Sequence, residues 1–185
     1  MDVIYSTATS VNGYIADQEN SLDWLFEADA SLVPDHAEFL TTVGAIVMGA
    51  TTYEWLMHTQ GVLDDPSMWS SIYGTIPTFV FTHRDLPVPA GSNIMFVQGD
   101  VTDHVDAFEK ATVDKKLWVV GGGDLAGQFI DAGLLTEIVL SIAPAAVSGG
   151  APVLPRTVSA QQLHLVTAKQ HGQFAQLTYS LSYDE

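Results

Sequence analysis

Short apolar runs alternate with helix-spaced apolar positions from residue 3 to residue 143. In the first run, Ile4, Ser6, Ala8 and Ser10 share one face, and Val3, Tyr5, Thr7 and Thr9 the other. Period-two alternation of this kind predicts a strand. Asn12 and Gly13 give a turn signal before the apolar Tyr14, Ile15 and Ala16, and a polar loop over 17–21 leads to Leu22–Phe26. Pro34 and Asp35 predict a helix start, with Ala37, Phe39, Leu40 and Val43 inside the helix. Further strands are predicted at Ala45–Met48, Pro77–Thr82, Ile94–Val97, Lys116–Val120 and Ile138–Ala143, and a helix over Asp103–Ala111. The stretch from Gly61 to Tyr73 reads as loop with a short helical piece around Trp69 and Ile72. A Gly- and Pro-rich connection over Pro144–Pro155 follows the last of these strands. Leu163–Ala168 and Phe174–Tyr183 then alternate around His171 and Gly172, as the arms of a hairpin do. The expectation is one α/β domain over residues 1–185. Its sheet is mixed, mostly parallel with an antiparallel C-terminal hairpin, and carries helices on both faces.

One local unit occurs twice. Ala45–Met48 runs into Gly49, Ala50, Thr51 and Thr52 and then a helix carrying Tyr53, Trp55 and Leu56. Lys116–Val120 runs into Gly121, Gly122 and Gly123, with Asp124 at the expected N-cap and Leu125, Phe129, Ile130 and Leu134 at helical spacing. Gly133 is placed to close that helix in the left-handed region. Two readings of the glycines stand side by side. They can bring backbone N–H groups and a positive helix end against a phosphate, or they can permit a tight connection. Ligands of such sheets bind at the carboxyl ends of the strands, where both turns fall. Gly121, Gly123 and Ala126 loosely match a Rossmann fingerprint, but Glu137 opens the next apolar run instead of ending it, which argues against a standard Rossmann unit.

Charge narrows the ligands. The formal net charge is −16 with only six Lys and Arg, so nucleic acid and acidic membrane surfaces are repelled. A small anion remains possible if backbone N–H groups hold it. There is no cysteine, and the six histidines form no metal-binding spacing, so neither thiolate chemistry nor a metal site is expected. No apolar run reaches the length of a membrane span and no signal segment opens the chain, so a cytoplasmic location is expected. Ser10, Ser148 and Ser182 sit in no nucleophile elbow.

With these motifs in place, the chain resembles the dihydrofolate-reductase-like fold. It is most similar to stand-alone relatives of the reductase domain of bifunctional riboflavin-biosynthesis deaminase-reductases. The segments Ser10–Ala16, Leu22–Leu25, Val47–Tyr53, Val119–Asp124 and Leu140–Pro144, with Gly149, Gly150 and Pro152, carry the resemblance in the family's order. It implies a reduced nicotinamide dinucleotide, usually NADPH with NADH possible, whose pyrophosphate lies between the two glycine turns. Position by position it implies Ala8, Ile15 and Ala16 along the nicotinamide and its ribose, and Gly49, Thr51 and Thr52 at the pyrophosphate. Thr82, His83 and Arg84 are implied beside the adenosine ribose, and Gly122, Gly123, Asp124 and Leu125 on the other side of the pyrophosphate. The chain departs from the family at three places. Ala50 stands where arginine is common, which removes a 2′-phosphate clamp; Tyr14 replaces a lysine; and Ser148 replaces a glycine.

Hydride transfer needs a held cofactor and at most one proton donor. Asp35 is the candidate donor, at the helix start where dihydrofolate reductases keep a substrate-binding carboxylate. Glu38, one turn on, is an alternate, and an ordinary first-turn acid is the competing reading. Trp24, Phe26 and Phe39 are candidates for an apolar wall against a planar substrate, or plain core. Two functions follow from the resemblance: an NADPH-dependent reductase of a small pterin-like or pyrimidine-like heterocycle, or a dinucleotide-binding sensor or partner-binding protein without turnover. Relatives of this domain commonly pair, so a homodimer is expected.

Overall fold

The computed structural model describes residues 1–183. β1 (Val3–Thr9) and the short β2 (Tyr14–Ala16) precede two brief helices, α1 (Asp23–Phe26) and α2 (His36–Thr41). β3 (Val43–Gly49) runs directly into α3 (Ala50–Thr59), followed by α4 (Ser67–Tyr73), β4 (Thr78–Phe81) and β5 (Ile94–Val97). A 3₁₀ turn over Val101–His104 opens α5 (Val105–Thr112), and β6 (Lys116–Gly121) leads into α6 (Gly123–Asp131). β7 (Glu137–Ile142), the two-residue β8 (Ala151–Pro152), β9 (Leu163–His171) and β10 (Phe174–Leu181) complete the chain.

Eight strands form one sheet in the order β5-β4-β3-β6-β1-β7-β10-β9. The six from β5 to β7 are parallel, and the terminal hairpin joins antiparallel through β10 against β7. β2 and β8 form a separate antiparallel ribbon. Alternation along the parallel strands supplies two cores. Val3, Tyr5, Ala45, Val47 and Phe79 meet Phe108 and Phe129 of α5 and α6 on one face. Ile4, Ile46, Met48, Val80 and Trp118 meet Tyr53 and Leu56 of α3 and Trp69 and Tyr73 of α4 on the other. Helices therefore cover both faces, as expected of parallel strands buried on two sides.

The end of α2 differs from the sequence pattern. Val43 is not inside α2; it opens β3. Thr42 ends the helix, its N–H turning back to Leu40 and Phe39, and Val43 joins the strand run. A register shift between Val43 and Ala45 places Val43 in the same core as Ile46, which is why it mimics helical spacing after Leu40. Gly44 within this shift is tight: a Cβ there would strike the backbone of Thr112. Among the described residues no helix is long and apolar enough to cross a membrane.

Candidate functional site

β3 and β6 are neighbours and parallel, so α3 and α6 begin side by side at the same edge of the sheet. Their N-caps are Gly49 and Gly122, and neither helix receives a side-chain cap. The first-turn N–H groups of a helix have no intrahelical acceptor, and they carry the positive end of its dipole. Here two such ends converge. A Cβ built on Gly49 would lie 3.8 Å from the Gly121 oxygen and 3.9 Å from the Gly122 nitrogen, so the two turns approach backbone to backbone. Between them opens a cleft of about 670 Å³.

The three glycines of the second turn do different work. Gly121 has φ +147°, a conformation side chains disfavour, and its peptide to Gly122 is cis. Gly122 is extended, and a Cβ there would meet nothing closer than Ile15 Cδ1 at 3.9 Å, on the cleft side. Gly123 is closed in. Its Cβ would collide with the Pro152 carbonyl oxygen and lie 2.5 Å from the Val153 oxygen. The tight-connection reading of the glycines therefore holds at Gly123, while Gly122 leaves open space on the cleft side.

That packing comes from the 144–155 connection, which is pinned against the cleft. Val11 N–H donates to Ala145 O (2.7 Å), Asn12 Nδ2 to Val147 O (2.7 Å), Val153 N–H to Gly13 O (2.8 Å) and the Tyr5 hydroxyl to Val153 O (2.8 Å). Gly150 fits because it has no Cβ to strike the Ala16 carbonyl.

Of the residues implied by the resemblance, Ile15, Ala16, Gly49, Thr51, Thr52, Gly122, Gly123, Asp124 and Leu125 line the cleft. Ala8 lies within β1 beside Ser141 and does not line it. Thr82, His83 and Arg84 follow β4 at the same edge, beyond Phe81, which does line it. Thr82 is buried and accepts from the Arg84 N–H at 3.0 Å. Asp124 is not the N-cap, which is Gly122, because α6 starts one residue before it. Its carboxylate accepts from Gln128 Nε2 (3.0 Å) and Arg156 Nη1 (3.0 Å), and these bonds hold it below the ordinary carboxylate range. Asp35 caps its own helix, accepting from the Ala37 N–H at 2.8 Å, and neither it nor Glu38 lines the cleft. Phe39 packs edge-on against Trp118 in the second core, ring centroids 5.1 Å apart. Trp24 also lies off the cleft, its indole N–H buried without a partner among the described residues.

Other side chains take the places expected of these. Leu22, Trp55, Leu56, Val120 and Tyr73 give the cleft its apolar wall. Trp55 and Leu56 were legible as α3 residues, but their orientation was not. Arg156 was a further surprise: it folds back over Gly127 and joins Asp124 and Asp131, at 3.0 and 2.8 Å. Arg84 is likewise occupied, its Nη1 lying 2.9 Å from a Glu54 carboxylate oxygen. Among the described residues no lysine or arginine lines the cleft.

The architecture is that of a reductase-type α/β fold with a cleft at the carboxyl edge of a mixed sheet. The model of the RibD C-terminal domain family matches residues 2–177, and the chain belongs to that family. The uncharacterized protein YwjB of Bacillus subtilis (strain 168) is 26% identical over 178 residues, 93% of each chain. A Shewanella sp. PV-4 protein assigned to riboflavin biosynthesis shares the fold with a TM-score of 0.79 and 25% identity, over 99% of this chain and all (100%) of that one. A Thermotoga maritima diaminohydroxyphosphoribosylaminopyrimidine deaminase/5-amino-6-(5-phosphoribosylamino)uracil reductase superposes with a TM-score of 0.64 at 13% identity, covering 98% of this chain and 56% of that one. These neighbours have the dihydrofolate-reductase-like fold of RibD reductase domains.

Proposed function

We propose that the protein is a reductase that holds a reduced nicotinamide dinucleotide, NADPH or NADH, and reduces a small pterin-like or pyrimidine-like heterocycle. The observation that carries this reading is the pair of uncapped helix N-termini at Gly49 and Gly122, facing one another across a cleft with no cationic side chain. A pyrophosphate suits that cradle: Thr51, Thr52, Gly123, Asp124 and Leu125 present first-turn N–H groups, and Gly122 leaves free the space a Cβ would fill. When bound, such a dinucleotide supplies a hydride. The chain's own residues orient and shield. From the paired turns the cleft runs one way past Ile15 and Ala16, suited to the nicotinamide arm, and the other way past Phe81 toward Thr82, His83 and Arg84, suited to the adenosine arm. Leu22, Trp55 and Leu56 keep water from the face where the acceptor would lie.

Titration of NADPH and of NADH into the protein, followed by quenching of tryptophan fluorescence, tests the reading. Trp55 in the cleft wall makes the signal direct. Saturable binding that ADP-ribose displaces is the expected result. Absence of binding for both dinucleotides refutes the assignment.

A further inference from the structure

Two polar groups sit in the apolar wall of the cleft, the indole N–H of the half-buried Trp55 and the hydroxyl of the more deeply buried Tyr73. Tyr73 ends α4, is 4% exposed and lines the cleft. Its ring is fixed by Trp69 and Trp118, with centroids 4.9 and 6.1 Å away. Among the described residues its hydroxyl has no hydrogen-bond partner. Three other tyrosines differ: Tyr5, Tyr53 and Tyr183 donate to the carbonyls of Val153, Pro87 and Leu135 at 2.8, 2.6 and 2.7 Å. A hydroxyl in this setting is free to be completed by a ligand or by water. The only other titratable side chain lining the cleft is Asp124, which is tied to Gln128 and Arg156.

We infer that the Tyr73 hydroxyl is the polar anchor of the substrate end of the cleft, donating a hydrogen bond to a carbonyl or imine acceptor on the edge of a planar, uncharged heterocycle. The inference rests on the reading of this cleft as the site of a dinucleotide and its substrate. Leu22, Trp55, Leu56 and Val120 offer such a ring apolar contact. A phosphorylated or carboxylated substrate finds no lysine or arginine along this wall, and Glu19, Asp23 and Glu54 border the adjoining opening next to Trp55. Burial pushes the phenol well above its ordinary value, so it stays a donor across neutral pH.

Pterin is the probe, chosen because it is planar, uncharged, fluorescent and carries both acceptor types. Its binding to the cofactor-free protein is compared with binding to Tyr73→Phe, which keeps the ring and its packing. The variant is expected to bind pterin about tenfold more weakly, the loss of one well-made hydrogen bond. Its melting temperature should match or exceed the parent's, since the hydroxyl has no partner to lose, and its dinucleotide affinity should be unchanged. Pterin-6-carboxylate should bind the parent more weakly than pterin. Equal pterin binding by parent and variant, no pterin binding by a parent that still binds dinucleotide, or tighter binding of the carboxylate each overturns the inference and leaves the cofactor reading standing. A parent that binds neither probe nor dinucleotide overturns both.

Discussion

Placing one methyl group at Gly122 and at Gly123 separates ligand binding from folding at adjacent residues. In Gly123→Ala the new Cβ meets the carbonyl oxygens of Pro152 and Val153, with the Val153 carbonyl carbon at 2.8 Å. These are backbone atoms, so no rotamer change relieves the contact, and forcing a methyl into a packed site costs about 1–3 kcal/mol. The shift of the connection that makes partial room also takes the acceptor at Val153 from the fully buried Tyr5 hydroxyl, worth another ~1–3 kcal/mol. The expected loss is about 2–6 kcal/mol, a large share of the roughly 5–15 kcal/mol that holds a domain together. At roughly 2–4 °C per kcal/mol for a chain of this size, a middle value of about 4 kcal/mol lowers the melting temperature by about 8–16 °C. Gly122→Ala is different, because φ −75° and ψ −177° suit alanine and its Cβ has only Ile15 nearby, at 3.9 Å. Its stability should stay within about 0.5 kcal/mol of the parent. Its methyl projects into the proposed pyrophosphate cradle, so dinucleotide affinity should fall at least about tenfold. Urea melts and dinucleotide titrations on both variants decide the matter. A Gly123→Ala protein as stable as the parent refutes the packing argument, and a Gly122→Ala protein that binds as the parent does removes Gly122 from the ligand site.

Three further outcomes are expected. Burial raises Tyr53 and Tyr183 from an ordinary value of 10.0 to about 12, and Tyr5 and Tyr73 rise as well. The native state therefore keeps protons that the unfolded chain sheds, so this stability is intact below about pH 10 and is lost as pH climbs toward 12; urea midpoints at about pH 9 and pH 11 should fall less for Tyr53→Phe than for the parent. Glu54→Gln releases Arg84 from a partly exposed pair that itself contributes little; NADPH should then bind about fivefold more tightly through its 2′-phosphate while NADH is unchanged, and an equal gain for both dinucleotides places Arg84 away from that phosphate. The protein is expected to be a homodimer, since β9 is a nine-residue edge strand with Leu165 and Val166 exposed; a monomeric mass by light scattering at micromolar concentration rejects this.

What was legible in the sequence was local. The parallel strands are short runs that are mostly apolar or alternate, and two of them end directly in glycine, so the element order and the two glycine turns could be read without the structure. The terminal hairpin was legible from its alternation. Val43 misled because the shift at Gly44 gives a strand residue the spacing of a helical one. Asp124 misled because it has an N-cap residue type, while the helix takes its start from the glycine turn. The rest of the site depends on distant segments. Arg156 reaches Asp124 only because the 144–155 connection returns across α6. Tyr73 closes a stretch that reads as loop, and nothing in its neighbours along the chain tells that its hydroxyl faces a cleft. Asp35 shows the converse: a residue type and position suited to chemistry, satisfied locally by the Ala37 N–H.

The central place of β1 also governs how the polypeptide emerges from a ribosome. Its two neighbours are β6 and β7, so the first strand made is among the last to find a partner. β3, β4 and β5 can pair as they leave the exit tunnel, whereas Val3, Ile4 and Tyr5 wait as an open apolar segment until more than half the chain has been synthesised. Such long-range closure slows the final step and leaves a sticky N-terminal strand exposed in the interval. A nascent-chain stall placed before β6 should therefore yield a species bound by chaperones, and one placed after β7 a species that releases them.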